Sequence, residues 1–169
     1  PPAPPQAIWV PATSHEEPLR EAKADRSQIF QLCATGDYDA VVAVAYSGVN
    51  FIDVYYRTGL YKSDSPIVLG SEAAGTVESV GSDVTEVVPG DRVAYAMVRG
   101  SYAEYAVVPS AQLVKIPDAV DFRTAAAVIL QGMTAHYLTH STFPLEPGNS
   151  CLVHAAAGGT GGLIVQMAR

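Results

Sequence analysis

Apolar and polar positions change period several times along this chain, and each change marks an element. Ala7-Ile8-Trp9-Val10 is a short apolar run that predicts a strand, and residues 15–26 are mostly polar. Ile29-Phe30-Gln31-Leu32-Cys33 alternates only in part and predicts a weak strand. Residues 41–46 form an unbroken run of β-branched and small apolar residues, bounded by Gly36 and by Ser47-Gly48. Such a run predicts a buried strand. Residues 51–57 predict one or two helical turns with Asn50 as the cap. Gly59 and Ser63-Asp64-Ser65-Pro66 mark a loop.

Short strands are predicted next over residues 67–69, 72–80, 92–96, 102–108 and 112–116, divided by Gly81-Ser82-Asp83 and by Pro89-Gly90-Asp91. A spacing of roughly ten residues predicts a compact, barrel-like β domain. The texture changes at Pro117-Asp118. Residues 121–140 carry one glycine, are rich in Ala and Leu, and predict two consecutive helices with Asp121 or Thr124 as caps. Glu146-Pro147-Gly148-Asn149 then predicts a turn into a strand at Cys151-Leu152-Val153, and Leu163 to Arg169 predicts a helix.

Between that strand and helix lies His154-Ala155-Ala156-Ala157-Gly158-Gly159-Thr160-Gly161-Gly162. Strand, small-residue turn and helix, in this order, can cradle a dinucleotide pyrophosphate. Small residues let the backbone approach the phosphates, and a helix N-terminus offers free N–H groups and a partial positive charge. Ala157, Gly158, Gly159, Thr160 and Gly161 are the candidate cofactor-binding residues. The spacing Ala156-x-Gly158-x-x-Gly161 has a second reading, an ordinary strand-to-helix connection. One strand and one helix do not make a Rossmann domain, so the chain reads as part of something longer. The acidic residue that would hold a ribose hydroxyl is expected ~20 positions on, past Arg169, which leaves NAD against NADP open.

Composition narrows the partners. The 169 residues are 49% hydrophobic and 16% charged, and 10 basic against 17 acidic residues give a net charge of −7. A sizeable core is possible, and a phosphate-neutralising nucleic-acid surface is not expected. No apolar run approaches 18 residues, so no membrane span is expected. The start, Pro1-Pro2-Ala3-Pro4-Pro5, reads as a polyproline-like arm with neither the basic region nor the apolar core of a secretory signal. Cys33 and Cys151 lie far apart and read as small buried residues in a reducing, cytoplasmic setting, with a disulfide as the minor alternative.

Several stretches resemble the zinc-free quinone oxidoreductase branch of the medium-chain dehydrogenase/reductase family. They are Ser47-Gly48-Val49-Asn50-Phe51-Ile52-Asp53, Arg57-Thr58-Gly59-Leu60-Tyr61, Gly70-Ser71-Glu72-Ala73-Ala74-Gly75, Pro89-Gly90-Asp91-Arg92-Val93, Leu130-Gln131-Gly132-Met133-Thr134-Ala135-His136-Tyr137 and Val153-His154-Ala155-Ala156-Ala157-Gly158-Gly159. The resemblance covers residues 41–169. Residues 1–40 depart from the family pattern, with no glycine before Gly36. The resemblance implies a GroES-like β-barrel catalytic domain (residues 1–120) followed by linking helices and the first β-α unit of a Rossmann domain (121–169), a truncated one. It places the active site in the cleft between the two domains and implies a homodimer for the full-length protein.

Zinc-dependent relatives carry a Cys where Asn50 stands and a His where Ser71 stands. Tetrahedral zinc needs three or four converging N, S or O ligands, so no metal is expected here. His136 and His140 share a helix face, where packing is a simpler reading than a metal pair. By resemblance Asn50 contacts the nicotinamide ribose or the substrate, a role that can coexist with capping. Tyr55 and Tyr61 resemble pocket tyrosines whose phenols could donate to a substrate carbonyl, and packing is their other reading. Thr134 could reach the nicotinamide side or bond its own backbone. Tyr56 reads as packing. Asp53 and Arg57 read as an i,i+4 ion pair. Glu72, among small residues, reads as buried with a structural partner. Cys151 has no evident activating base.

The function implied is NADPH-dependent hydride transfer to a quinone or enone without zinc, with NADH also possible as the coenzyme. The alternatives are an enoyl-thioester reductase and a non-enzymatic nucleotide-binding or structural family member. The 169-residue piece itself is expected to be inactive.

Overall fold

The computed structural model describes residues 7–10, 20–22, 37, 39–62 and 67–169. The polyproline-like start and the weak strand expected at 29–33 lie outside these residues. Among the described residues, eight strands pair into two sheets. β1 (Ala7–Val10), β2 (Arg20–Ala22) and β4 (Ile67–Val68) form an antiparallel sheet in the order β2-β1-β4. The larger sheet has the order β7-β3-β5-β6-β8, antiparallel throughout. It consists of β3 (Asp39–Ser47), β5 (Glu72–Val80), β6 (Arg92–Ala96), β7 (Tyr105–Pro109) and β8 (Val114–Lys115).

The continuous apolar run becomes β3, which β5 and β7 flank on either edge. Ala40, Val41 and Val42 are fully buried because both faces of β3 are covered. One face of the sheet builds a core from Val42, Val77, Val93, Tyr95 and Val108. The opposite face is lined by small residues, Ala74 and Ala94, which meet Ala125 and Ala126 of a helix. The period-2 alternation thus sends Val77, Val93 and Tyr95 to one side and Ala74 and Ala94 to the side where a helix comes close.

Three helices complete the described chain: α1 (Phe51–Arg57), α2 (Phe122–Tyr137) and α3 (Gly159–Met167). The Asp121 carboxylate caps α2 by accepting the Thr124 N–H at 2.6 Å, so of the two expected caps Asp121 takes the role. Instead of two consecutive helices, α2 runs on into a π-helical turn, Leu138–Thr142. The turns at Gly90 (φ +95°) and Gly148 (φ +94°) use the left-handed backbone that glycine accepts without strain.

Three sequence expectations fail here. Cys151-Leu152-Val153 is irregular, not a strand, and Leu152 is 83% exposed. A strand exists only by pairing, and no neighbouring strand stands beside it among the described residues. Cys151 is exposed rather than buried for the same reason. In addition, α3 starts four residues earlier than expected, inside the small-residue turn, and Gly158 sits at its N-cap. No described helix is long and apolar enough to cross a membrane.

Candidate functional site

The β3–β5 register builds the site. Ser47 pairs with Ala73, and the Gly48 N–H donates to the Glu72 carbonyl at 3.1 Å. The loop leaving β3 therefore runs beside the start of β5, and α1 begins next to Ser71 and Glu72. A cleft of about 340 Å³ opens there, lined by Asn50, Phe51, Ile52, Tyr56, Ser71, Met97, Arg99 and Leu130. Its lining is mostly apolar, with a few polar groups, as small-molecule sites are.

Asn50 stands at the N-cap position of α1, yet its side chain makes no capping bond. Its Nδ2 instead donates to Glu72 Oε1 at 2.8 Å. Glu72 has no exposed surface. Its second oxygen, Oε2, accepts the Leu130 N–H of α2 at 3.0 Å. The expectation of a buried Glu72 with a partner is met, and the partner is Asn50.

The expected Asp53–Arg57 pair does not form. Asp53 is buried and accepts the Gly70 N–H at 2.9 Å and the Tyr102 hydroxyl at 3.0 Å, while Arg57 is exposed. A carboxylate on the inner face of a short helix gains more from two fixed donors than from a solvated arginine. Burial, with the Asp53 carboxylate beside it, pushes the Tyr102 phenol far above the usual tyrosine range.

Tyr55 and Tyr61 are brought together, with ring centroids 5.3 Å apart. Neither is among the residues lining the cleft. Each touches one that is: Tyr55 meets Phe51 at 6.1 Å and Tyr61 meets Tyr56 at 5.7 Å. Tyr56, read from sequence as packing, reaches the cleft with Arg99. The Arg99 guanidinium lies 4.1 Å from the Tyr56 ring centroid and donates to its hydroxyl at 2.6 Å. Arg99 and Met97 came from no motif of charge or spacing, whereas Ser71 lies in the Gly70–Gly75 motif. The positive φ of Met97 (+67°), beside Gly100, belongs to a loop whose path only the fold decides.

The Thr134 hydroxyl donates to the Leu130 carbonyl at 2.8 Å, one turn back along α2. His136 and His140 stack at 4.3 Å and nearly parallel. Among the described residues, no three His, Cys, Asp or Glu side chains converge as a metal site.

The small-residue turn lies against α2. A Cβ on Gly159 would overlap the Gln131 side chain, and one on Gly161 would overlap the Ala155 carbonyl. The residues of the turn, 154–159, are exposed. The Gly158 cap has no side chain to cover the first N–H groups of α3.

Comparison with known proteins places this architecture. Residues 36–118 match the alcohol dehydrogenase GroES-like domain. A quinone oxidoreductase of Pseudomonas aeruginosa is 52% identical over 142 residues, covering 83% of this chain and 44% of that protein. Among solved structures, a quinone oxidoreductase of Pseudomonas syringae superposes with a TM-score of 0.84 at 43% identity, covering 96% of this chain and 49% of that one. An Escherichia coli quinone oxidoreductase complexed with NADPH superposes with a TM-score of 0.86 at 34% identity, covering 96% and 49%. The chain spans less than half the length of the curated relatives it matches. With a GroES-like domain and this shared architecture, the chain belongs to the medium-chain dehydrogenase/reductase family, in which the relatives it matches are quinone oxidoreductases.

Proposed function

We propose that this chain forms the cleft-bearing part of a reductase that passes hydride from NADPH to a quinone or an enone, with no metal ion in the reaction. The observation that carries the reading is the Asn50 amide, held by buried Glu72 on the wall of an open, mainly apolar cleft. The positions that resemblance gives to zinc ligands hold Asn50 and Ser71, an amide and a hydroxyl rather than the thiolate, imidazole or carboxylate that zinc takes. The complex of the Escherichia coli relative with NADPH supports the choice of coenzyme.

The turn at 154–161 suits a dinucleotide. Its residues are small, Gly161 has no room for a Cβ against the Ala155 backbone, and the start of α3 is uncapped by any side chain. Ala157, Gly158, Gly159, Thr160 and Gly161 would hold the pyrophosphate through backbone N–H groups. When bound, NADPH supplies the hydride. Asn50 orients the reacting partners, with Thr134 assigned to the nicotinamide side. The phenols of Tyr55 or Tyr61 are assigned to the acceptor oxygen, where a donated hydrogen bond stabilises developing negative charge. Apolar groups such as Phe51, Ile52 and Leu130 keep water from the reacting atoms. On this reading residues 1–120 are the catalytic domain, and 121–169 lead into the coenzyme domain.

The test titrates the intact protein with NADPH by nicotinamide fluorescence and follows NADPH oxidation by benzoquinone or an enone. Saturable binding with turnover is the expected result. No affinity for either pyridine nucleotide, or a stoichiometric zinc whose removal abolishes turnover, would overturn the reading. Tight binding without oxidation by any acceptor would favour a binding protein.

A further inference from the structure

Glu72 is fully buried, and each of its carboxylate oxygens accepts a different donor. Oε1 takes Asn50 Nδ2 at 2.8 Å, and Oε2 takes the Leu130 N–H at 3.0 Å. A Cβ on Gly48 would overlap the Glu72 side chain, so the glycine leaves the room that the carboxylate occupies. Glu72 is 22 residues from Asn50 and 58 from Leu130 in sequence. One carboxylate thus joins the loop after β3, the start of β5 and the middle of α2.

An amide has a donor end and an acceptor end, and on its own it can turn either one to a ligand. Beside Glu72 that choice is gone. A flipped Asn50 would set its carbonyl oxygen against a carboxylate oxygen, acceptor against acceptor, in a buried place where the mismatch is costly. We propose that Glu72 is a positioning residue that sets the polarity of the site. It holds the Asn50 NH2 inward, so that Asn50 turns its carbonyl oxygen Oδ1 to the cleft. The group Asn50 takes is therefore a hydrogen-bond donor, and on the functional reading above, on which this inference rests, that donor is a ribose hydroxyl of the coenzyme. Because Glu72 also holds the Leu130 N–H, the setting of Asn50 is tied to the helix that carries Thr134.

The substitution Glu72→Gln has a defined consequence. The Leu130 N–H belongs to the backbone and does not turn, so the new side chain gives it the carbonyl oxygen. Its NH2 then faces Asn50, whose amide flips to accept, and the cleft meets a donor in place of an acceptor. In E72Q/N50D the aspartate accepts from the glutamine NH2 with one oxygen and turns the other to the cleft, which restores the acceptor.

Three variants of the intact protein, E72Q, N50A and E72Q/N50D, are titrated with NADPH. The Asn50 side-chain NH2 signals are followed by NMR without coenzyme, assigned by their loss in N50A. E72Q is expected to move those signals and to weaken NADPH binding by roughly tenfold, about as much as N50A, with most of the loss recovered in E72Q/N50D. NADPH binding by folded E72Q equal to wild type, or no recovery in the double variant, overturns the proposal. Should E72Q fail to fold, E72Q/N50D is compared with N50A: tighter binding supports the proposal, and equal or weaker binding overturns it. A wild type that binds neither pyridine nucleotide defeats the functional reading instead. The NMR arm then decides alone, and Asn50 signals unmoved in E72Q refute the positioning.

Discussion

At the scale of single residues, what counts is which polar group finds a partner. Asn50, Asp53 and Glu72 all do, through bonds that cross the fold. Tyr95 does not. Its side chain has no exposed surface, its hydroxyl has no hydrogen-bond partner among the described residues, and burial pushes the phenol well above the usual range. Two outcomes follow from removing that hydroxyl. Y95F leaves a core of nearly the same shape without the orphaned oxygen, so stability in urea is expected to hold or rise by up to about 1 kcal/mol. A loss greater than that would mean the hydroxyl has a partner. The pH dependence has a definite sign. A phenol whose folded pKa lies above its unfolded value keeps its full contribution to stability below about pH 10, then loses it as pH rises. Alkaline unfolding of Y95F is therefore expected at higher pH than that of wild type, and a midpoint that stays or falls would contradict the burial argument.

At the scale of elements, the strands are where sequence reading works best. Residues 72–80 and 92–96 form strands over the expected ranges, and 51–57 form the expected helix. Period and turn chemistry are local, so a local reading captures them. How strands meet is less local. A Cβ on Gly75 would overlap the Ala43 carbonyl across the β3–β5 ladder. Gly75→Ala is expected to push these strands apart and lower stability by about 1–3 kcal/mol, read from the urea midpoint. An unchanged midpoint would show that the ladder relaxes freely. The Asp121 cap gives α2 an acid dependence. The Thr124 N–H holds the Asp121 carboxyl below the usual carboxylate range. A depressed folded pKa means stabilisation present above about pH 4 and lost on acidification below it. Helicity followed by circular dichroism should therefore fall less between neutral and acid pH in D121A than in wild type. Equal falls would place the acid sensitivity elsewhere.

At the scale of the whole molecule, the two parts of the proposed site have unequal support. The cleft at Asn50 is walled by α1, by the residues flanking β5 and β6, and by α2. The turn at 154–158 follows an irregular segment with Leu152 83% exposed, and α3 packs on α2 and the π-helical turn. Backbone N–H groups bind phosphate only as well as their positions are held. The 169-residue chain by itself is therefore expected to bind NADPH more weakly than micromolar, tested by fluorescence titration of the purified piece. Micromolar affinity would show that α2 alone positions the turn.

The sequence by itself determined the local elements and, through the order of its motifs, the family. Continuous and alternating apolar runs, Pro-Gly turns and an alanine-rich stretch each carry their structural meaning within a few residues. Only the tertiary structure decided where the polar side chains went. Asn50 left the helix end it was expected to cap for Glu72, Asp53 left Arg57 for Tyr102, and Tyr56 met Arg99. These partners are 22, 49 and 43 residues apart, and strand register, not spacing along the chain, brings them within hydrogen-bond reach. A buried donor or acceptor takes the partner that folding sets beside it, and sequence shows only those that are near in the chain.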